Sequence, residues 1–149
     1  MINTPITKRA KEIAQKVFAG KTDITGYPYM RMREAVAGQM KGEHTAAIAL
    51  LMDVYDCSEL TVITLMKEGT PMRVACALVR LKQREDELYN DYLERIVEDD
   101  ELVYPVALAT AAYLGNFDNY KVNTVEAIAE YAHYSTMHRF LKLHHDGEF

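Results

Sequence analysis

The sequence predicts an all-α protein in which residues 1–149 form a single domain, a bundle of seven or eight helices. Apolar residues recur at helical spacing along most of the chain, and no segment of strand periodicity is long enough to predict a sheet. The run Ala-Ala-Ile-Ala-Leu-Leu-Met-Asp-Val-Tyr-Asp at 46–56 has no Gly or Pro and is apolar on most sides. It therefore indicates a helix at the centre of the fold. With 149 residues, 49% of them hydrophobic, the chain can form a sizeable core.

The first two helices have clear boundary signals. Thr4 is expected to be the N-cap of the first helix and Pro5 its first residue, because Thr caps helices and Pro is tolerated in the first turn. Gly20 is placed to end that helix in a left-handed conformation. A polar loop over 21–28 then leads to a second helix over about 29–40.

The central helix is expected to extend from about 43 to 56 and to carry two carboxylates on its last turn. Asp53 and Asp56 are three residues apart, so they would share one face. Burying an unpaired carboxylate is costly. Asp53 is therefore either paired within the core, with Asp56 at the exposed helix end, or both belong to a functional site.

Five further helices are predicted in the remainder of the chain from their start and stop signals. They are a helix capped by Ser58 that extends through Met66 and ends at Gly69, one from Thr70-Pro71 to about 81, one from the charge run 84–87 to 98, one with the acidic residues 99–101 at its N-terminus that continues to 114 and is ended by Gly115, and one over 125–143 capped by Thr124.

Composition excludes several classes of protein. The net charge of −5 gives no overall attraction to nucleic acid or to an anionic membrane. No apolar run approaches the roughly 20 residues that span a bilayer. Residues 1–5 lack the hydrophobic region of a signal peptide, and Cys57 and Cys76 show no paired spacing. These features favour a reduced, cytoplasmic location.

Five segments carry recognisable motifs in order along the chain. They are Gly-Tyr-Pro-Tyr-Met-Arg-Met with Val-Ala at 26–37, Ala-Leu-Leu-Met-Asp-Val at 49–54, Ala-Leu-Val-Arg-Leu-Lys at 77–82, Tyr-Asn-Asp-Tyr-Leu-Glu-Arg-Ile at 89–96 and Ala-Thr-Ala-Ala-Tyr-Leu-Gly-Asn at 109–116. The set resembles the HD-domain phosphohydrolases, most closely the short guanosine-polyphosphate hydrolases related to the N-terminal domain of the RelA/SpoT proteins. That family reads G-x-P-Y-x-x-H-P-x-x-V-A, A-L-L-H-D-V-x-E-D, A-V-x-x-L-T, Y-x-x-Y-x-x-x-I and K-x-A-D-x-x-x-N. The resemblance implies a helical fold and descent from a metal-dependent phosphohydrolase.

The resemblance also implies where the metal ligands of the family would lie. The two His positions correspond to Met32 and Met52, the Asp of the His-Asp pair to Asp53, and the late Asp to Ala112. One ligand of four therefore remains, and thioether sulfur is unsuited to a hard ion such as Mn²⁺. No catalytic residue, metal or other cofactor is expected, and Mn²⁺ would be required only if the chain were active.

Other catalytic positions of the family are also altered. The family's E-D pair corresponds to Asp56 and Cys57, and the basic residues that meet substrate phosphates correspond to Asp23 and Ile24. Asn116 retains the Asn that lies near the nucleotide in the family.

A pocket at this place would have Asp53, Asp56 and Asn116 as polar groups and Met32, Met52 and Ala112 as apolar lining. The flexible Met side chains could equally fill it. Two carboxylates without a cation would favour a neutral or cationic group over a phosphate.

No other constellation replaces this one. His44 precedes Asp53 by more than two helical turns, so the two could not share an ion. His133 and His138 do not have the spacing of a zinc helix, and no Gly-rich phosphate loop is present.

Three functions remain open from sequence alone. The first is a catalytically degenerate HD-domain protein that binds a small molecule, another protein or a second copy of itself. The second is an active phosphohydrolase for nucleotides such as guanosine polyphosphates, with a rewired metal site. The third is a purely structural interaction module.

Overall fold

The computed structural model describes residues 2–22, 26–99 and 101–116, and it confirms the all-α prediction. The helices of this part are α1 (Pro5–Phe18), α2 (Met30–Gln39), α3 (Glu43–Leu51), α4 (Val62–Lys67), α5 (Met72–Arg80), α6 (Tyr89–Glu98) and α7 (Val103–Asn116). Extended structure within the described ranges is confined to one antiparallel bridge between Thr22 and Pro28. The predicted helix over 125–143 lies outside the described residues. No helix among those described is long and apolar enough to cross a membrane.

Helix α1 begins and ends where its signals predict. The Thr4 backbone N–H donates to the Thr7 hydroxyl at 2.8 Å, and the Thr7 N–H donates to the Thr4 hydroxyl at 3.4 Å. This reciprocal pair is a capping box. Gly20 follows the helix with a φ of +72°, a conformation that costs Gly little.

Helix α3 forms the centre of the bundle, as its composition predicts. Its residues from Thr45 to Leu51 are all buried, and the helix packs against α1, α2, α5 and α7. A helix covered on every side needs no polar face, which explains its nearly uninterrupted apolar sequence.

The prediction that α3 extends to residue 56 is wrong. The helix ends at Leu51, Met52 leaves the helical conformation with a ψ of 136°, and Asp53 has a φ of +67°. Asp53 and Asp56 therefore lie in a turn over 52–57 and do not share a helical face. Asp is one of the few residues besides Gly and Asn that tolerate the left-handed conformation, so a helix can end here without glycine.

Two further helices begin at other residues than predicted. Thr61, not Ser58, caps α4, through a reciprocal pair with Thr64 like that of α1. The Ser58 hydroxyl instead donates to the Val54 carbonyl at 2.6 Å and accepts from the Leu60 N–H. Helix α5 begins one residue later than predicted, because Pro71 is its N-cap.

The charge run 84–87 is a turn rather than a helix start. The Glu87 carboxylate accepts from the Arg84 N–H at 3.1 Å, and the Glu87 N–H donates to the Arg84 carbonyl at 3.2 Å. These bonds close the turn, and α6 begins only at Tyr89. Helix α7 continues through Gly115, where a stop was predicted; a glycine within a helix is tolerated at about 1 kcal/mol.

Candidate functional site

The sequence-predicted site residues come from α2, the turn after α3, and α7. Met32 is on α2 and Met52 directly follows α3, and both are buried. The sulfur of Met52 accepts from the Thr110 hydroxyl of α7 at 3.6 Å. Helix α7 packs against α2 and α3, and positions 112 and 116 belong to this helix. The side chains of Ala112 and Asn116 fall outside the described part of the structure.

Asp53 is held by a buried arginine that sequence analysis did not predict. Arg33 Nη2 lies 2.6 Å from Asp53 Oδ2, and the two side chains are 2% and 13% exposed. Arg33 also donates from Nε to the Met52 carbonyl at 3.0 Å and from Nη1 to the Tyr29 carbonyl at 2.9 Å. Its guanidinium carbon is 4.3 Å from the centre of the Phe18 ring, a cation–π distance. All three guanidinium nitrogens therefore have acceptors.

Lys82 adds a second cation to the same place. Its Nζ lies 3.8 Å from Asp53 Oδ1 and also pairs with Asp56 Oδ2. Lys82 and Asp56 are 27% and 36% exposed, so this pair lies nearer the surface than the first. We refer to Arg33, Asp53, Asp56 and Lys82 as the four-charge cluster. The expectation of two carboxylates without a cation is wrong, because the cluster balances two negative charges with two positive ones.

The backbone on which Lys82 sits is held by α6. Arg95 Nη2 donates to the Lys82 carbonyl at 2.7 Å, and Arg95 Nη1 donates to the Arg80 carbonyl. Arg95 Nε and Nη2 also bond the Glu87 carboxylate at 2.7 and 2.8 Å. The hydrogen bond from Arg95 is the main reason that the pKa of Glu87 falls from its usual 4.5 to about 2. The same bond raises the pKa of Arg95.

The residues at this place do not fit the hard divalent cation that the resemblance implies. Met32 and Met52 offer neutral sulfur, and Asp53 Oδ2 is bonded to Arg33. In the described ranges, no three His, Cys, Asp or Glu side chains are grouped so that they could hold a metal ion. Asp56 is paired with Lys82, and Asp23 and Ile24 lie outside the described residues.

A signal for the two missed cations was present in the motif positions. Arg33 stands where the family motif has Pro, and Lys82 stands where a later motif has Thr. Relative to those motifs, both residues add a positive charge, while the ligand positions lack two imidazoles and one carboxylate. The ligand positions alone do not reveal this change. Arg33 and Asp53 are 20 residues apart in sequence, so nothing local to Asp53 indicates its partner.

Comparison with models of known protein families and with curated proteins found no match to this chain. The likeness to HD-domain phosphohydrolases therefore rests on the five sequence motifs and remains a prediction.

Proposed function

We propose that this chain is a degenerate relative of the HD-domain phosphohydrolases that acts by binding and not by hydrolysis. The observation that supports this most directly is the buried Arg33–Asp53 pair. Asp53 is the one hard ligand left at the four matched positions, and its carboxylate is bonded to an internal cation.

Hydrolysis by this family's chemistry requires an ion that lowers the pKa of bound water and offsets phosphate charge. Binding such an ion at Asp53 would require displacing Arg33, whose side chain is only 2% exposed. The displaced guanidinium would leave a charge without its partner in the protein interior, which costs about 3–5 kcal/mol. Two thioethers could not offset that cost, since sulfur binds hard ions weakly.

The ligand class follows from the charge of the site. The four-charge cluster is electroneutral, so it supplies no excess positive charge for a polyphosphate. The partner of this module is accordingly an uncharged small molecule or another protein, and guanosine polyphosphates bind weakly or not at all.

Metal analysis and a hydrolysis assay of the purified chain test the proposal. We expect no stoichiometric Mn, Fe or Zn and no turnover of nucleoside polyphosphates when Mn²⁺ is added. Stoichiometric metal would contradict the proposal, and turnover that Asp53→Asn abolishes would establish a phosphohydrolase. Calorimetric titration with a guanosine polyphosphate is the companion measurement, and a micromolar Kd would contradict the ligand class.

A further inference from the structure

We infer that Arg33 and Lys82 together take the place of a metal ion: as an internal pair of cations, they hold Asp53 and Asp56 and join three elements of the bundle. The inference deepens the proposed function and rests on it in one respect, namely that Asp53 occupies a former ligand position.

The first support is the origin of the four side chains. Arg33 belongs to α2, Asp53 and Asp56 to the turn after α3, and Lys82 to the segment after α5. A bound ion stabilises a fold by drawing ligands from separate elements together. Here two ion pairs and the bonds of Arg33 to two backbone carbonyls make the same connections.

The second support is charge. The cluster already contains as many positive as negative charges, so a divalent ion beside Asp53 would be repelled by the Arg33 guanidinium 2.6 Å from that carboxylate. Internal cations are therefore a barrier to metal binding that is separate from the loss of His and Asp ligands.

The third support is that Lys82 is positioned from outside the cluster. Arg95 of α6 donates to the carbonyls of Arg80 and Lys82, and Tyr92 donates to the Leu81 carbonyl at 2.8 Å. Three consecutive carbonyls are thus fixed by one helix. Arg95 and Tyr92 thus hold the backbone from which the Lys82 side chain extends.

A double-mutant cycle on the natural chain tests the internal pair directly. Asp53→Asn removes the charge and keeps a residue that tolerates the left-handed backbone, and Arg33→Met removes the guanidinium from a similar volume. We expect each single change to lower the Tm by about 10 °C or more, because it strands a partner in the interior. The double variant should be no less stable than the worse single variant.

The exposed pair Arg73–Glu101 gives a matched control, since it is separated by 3.5 Å and its side chains are 58% and 80% exposed. Arg73→Met and Glu101→Gln should shift the Tm by no more than a few degrees, with little coupling. Additive losses at Arg33 and Asp53, in a chain that purifies without metal, would overturn this inference and leave the proposed function intact.

Restoring the ligands tests the barrier to metal binding. Met32→His, Met52→His and Ala112→Asp are introduced together in two backgrounds, the natural one and one that also carries Arg33→Met and Lys82→Met. We expect Mn²⁺ to raise the Tm in the second background only. A Tm increase of equal size in both backgrounds, or in neither, would contradict the inference; where a variant does not fold, the double-mutant cycle decides.

Discussion

Asp53 combines two features that each cost free energy in isolation. Its φ of +67° is uncommon for any residue with a Cβ, and its carboxylate is 13% exposed. Both are compensated by Arg33, which bonds the Asp53 side chain and the Met52 carbonyl just before it. One guanidinium thus stabilises the charge and the turn that ends α3.

The requirement for a partner at Asp53 could be predicted from sequence, whereas the partner could not. A carboxylate that follows the apolar run 46–52 must be neutralised, and this follows from desolvation alone. Arg33 lies on a different helix, and periodicity relates only residues within one element. The identity of the cation therefore required the tertiary structure.

The lowered pKa of Glu87 predicts how the stability of the protein changes in acid. Its pKa is lowered to about 2 chiefly by the hydrogen bond from Arg95, so the folded state binds a proton at lower pH than the unfolded state does. The stability from Glu87 is complete above about pH 4.5 and is lost as the pH falls towards 2. Glu87→Gln should cost about 2 kcal/mol at neutral pH, and its difference from the natural chain should shrink between pH 4.5 and 2.

Urea unfolding at several pH values measures this difference. Glu85 is exposed in the same turn, and Glu85→Gln controls for the general effect of removing a negative charge. A Glu87→Gln penalty that stays constant over this pH range would show that the carboxylate is not held by Arg95.

At the scale of elements, the helix boundaries depend on pairs of residues more than on single ones. The Thr-x-x-Thr spacing caps both α1 and α4 reciprocally, at Thr4 and at Thr61. Thr4-Pro5 predicts the first boundary correctly, whereas Ser58, taken alone as a cap, misplaces the second. The spacing of the first pair could have located the second, since the same geometry recurs.

Thr61→Ala is expected to lower the free energy of unfolding by about 1 kcal/mol, because the Thr64 N–H at 3.3 Å loses its acceptor. Thr61→Ser retains the hydroxyl and should remain close to the natural stability. Chemical denaturation of the two variants makes the comparison, and an equal loss in both would show that the methyl group matters more than the cap.

At the scale of the whole molecule, the fold class and the central helix were predictable because both depend on composition along one element. The chemistry of the site was not predictable, because it depends on distances between residues of different elements. Arg33, Asp53 and Lys82 meet only after α2, α3 and α5 have packed. The resemblance predicts a site around Asp53, whereas the chemistry there depends on the charges of Arg33 and Lys82, which other segments of the chain supply.

The central position of α3 predicts that truncating its buried side chains lowers stability far more than the same change at the surface. Ile48 is 0% exposed in the middle of this helix, which contacts four others, whereas Ile63 of α4 is 66% exposed. Ile48→Ala removes buried methyl groups that the surrounding helices cannot fully replace, so it should cost about 3–4 kcal/mol. Ile63→Ala makes the same chemical change at the surface and should alter stability by no more than about 0.5 kcal/mol. Urea unfolding of both variants measures the contrast, and comparable losses would mean that the bundle is not organised around α3.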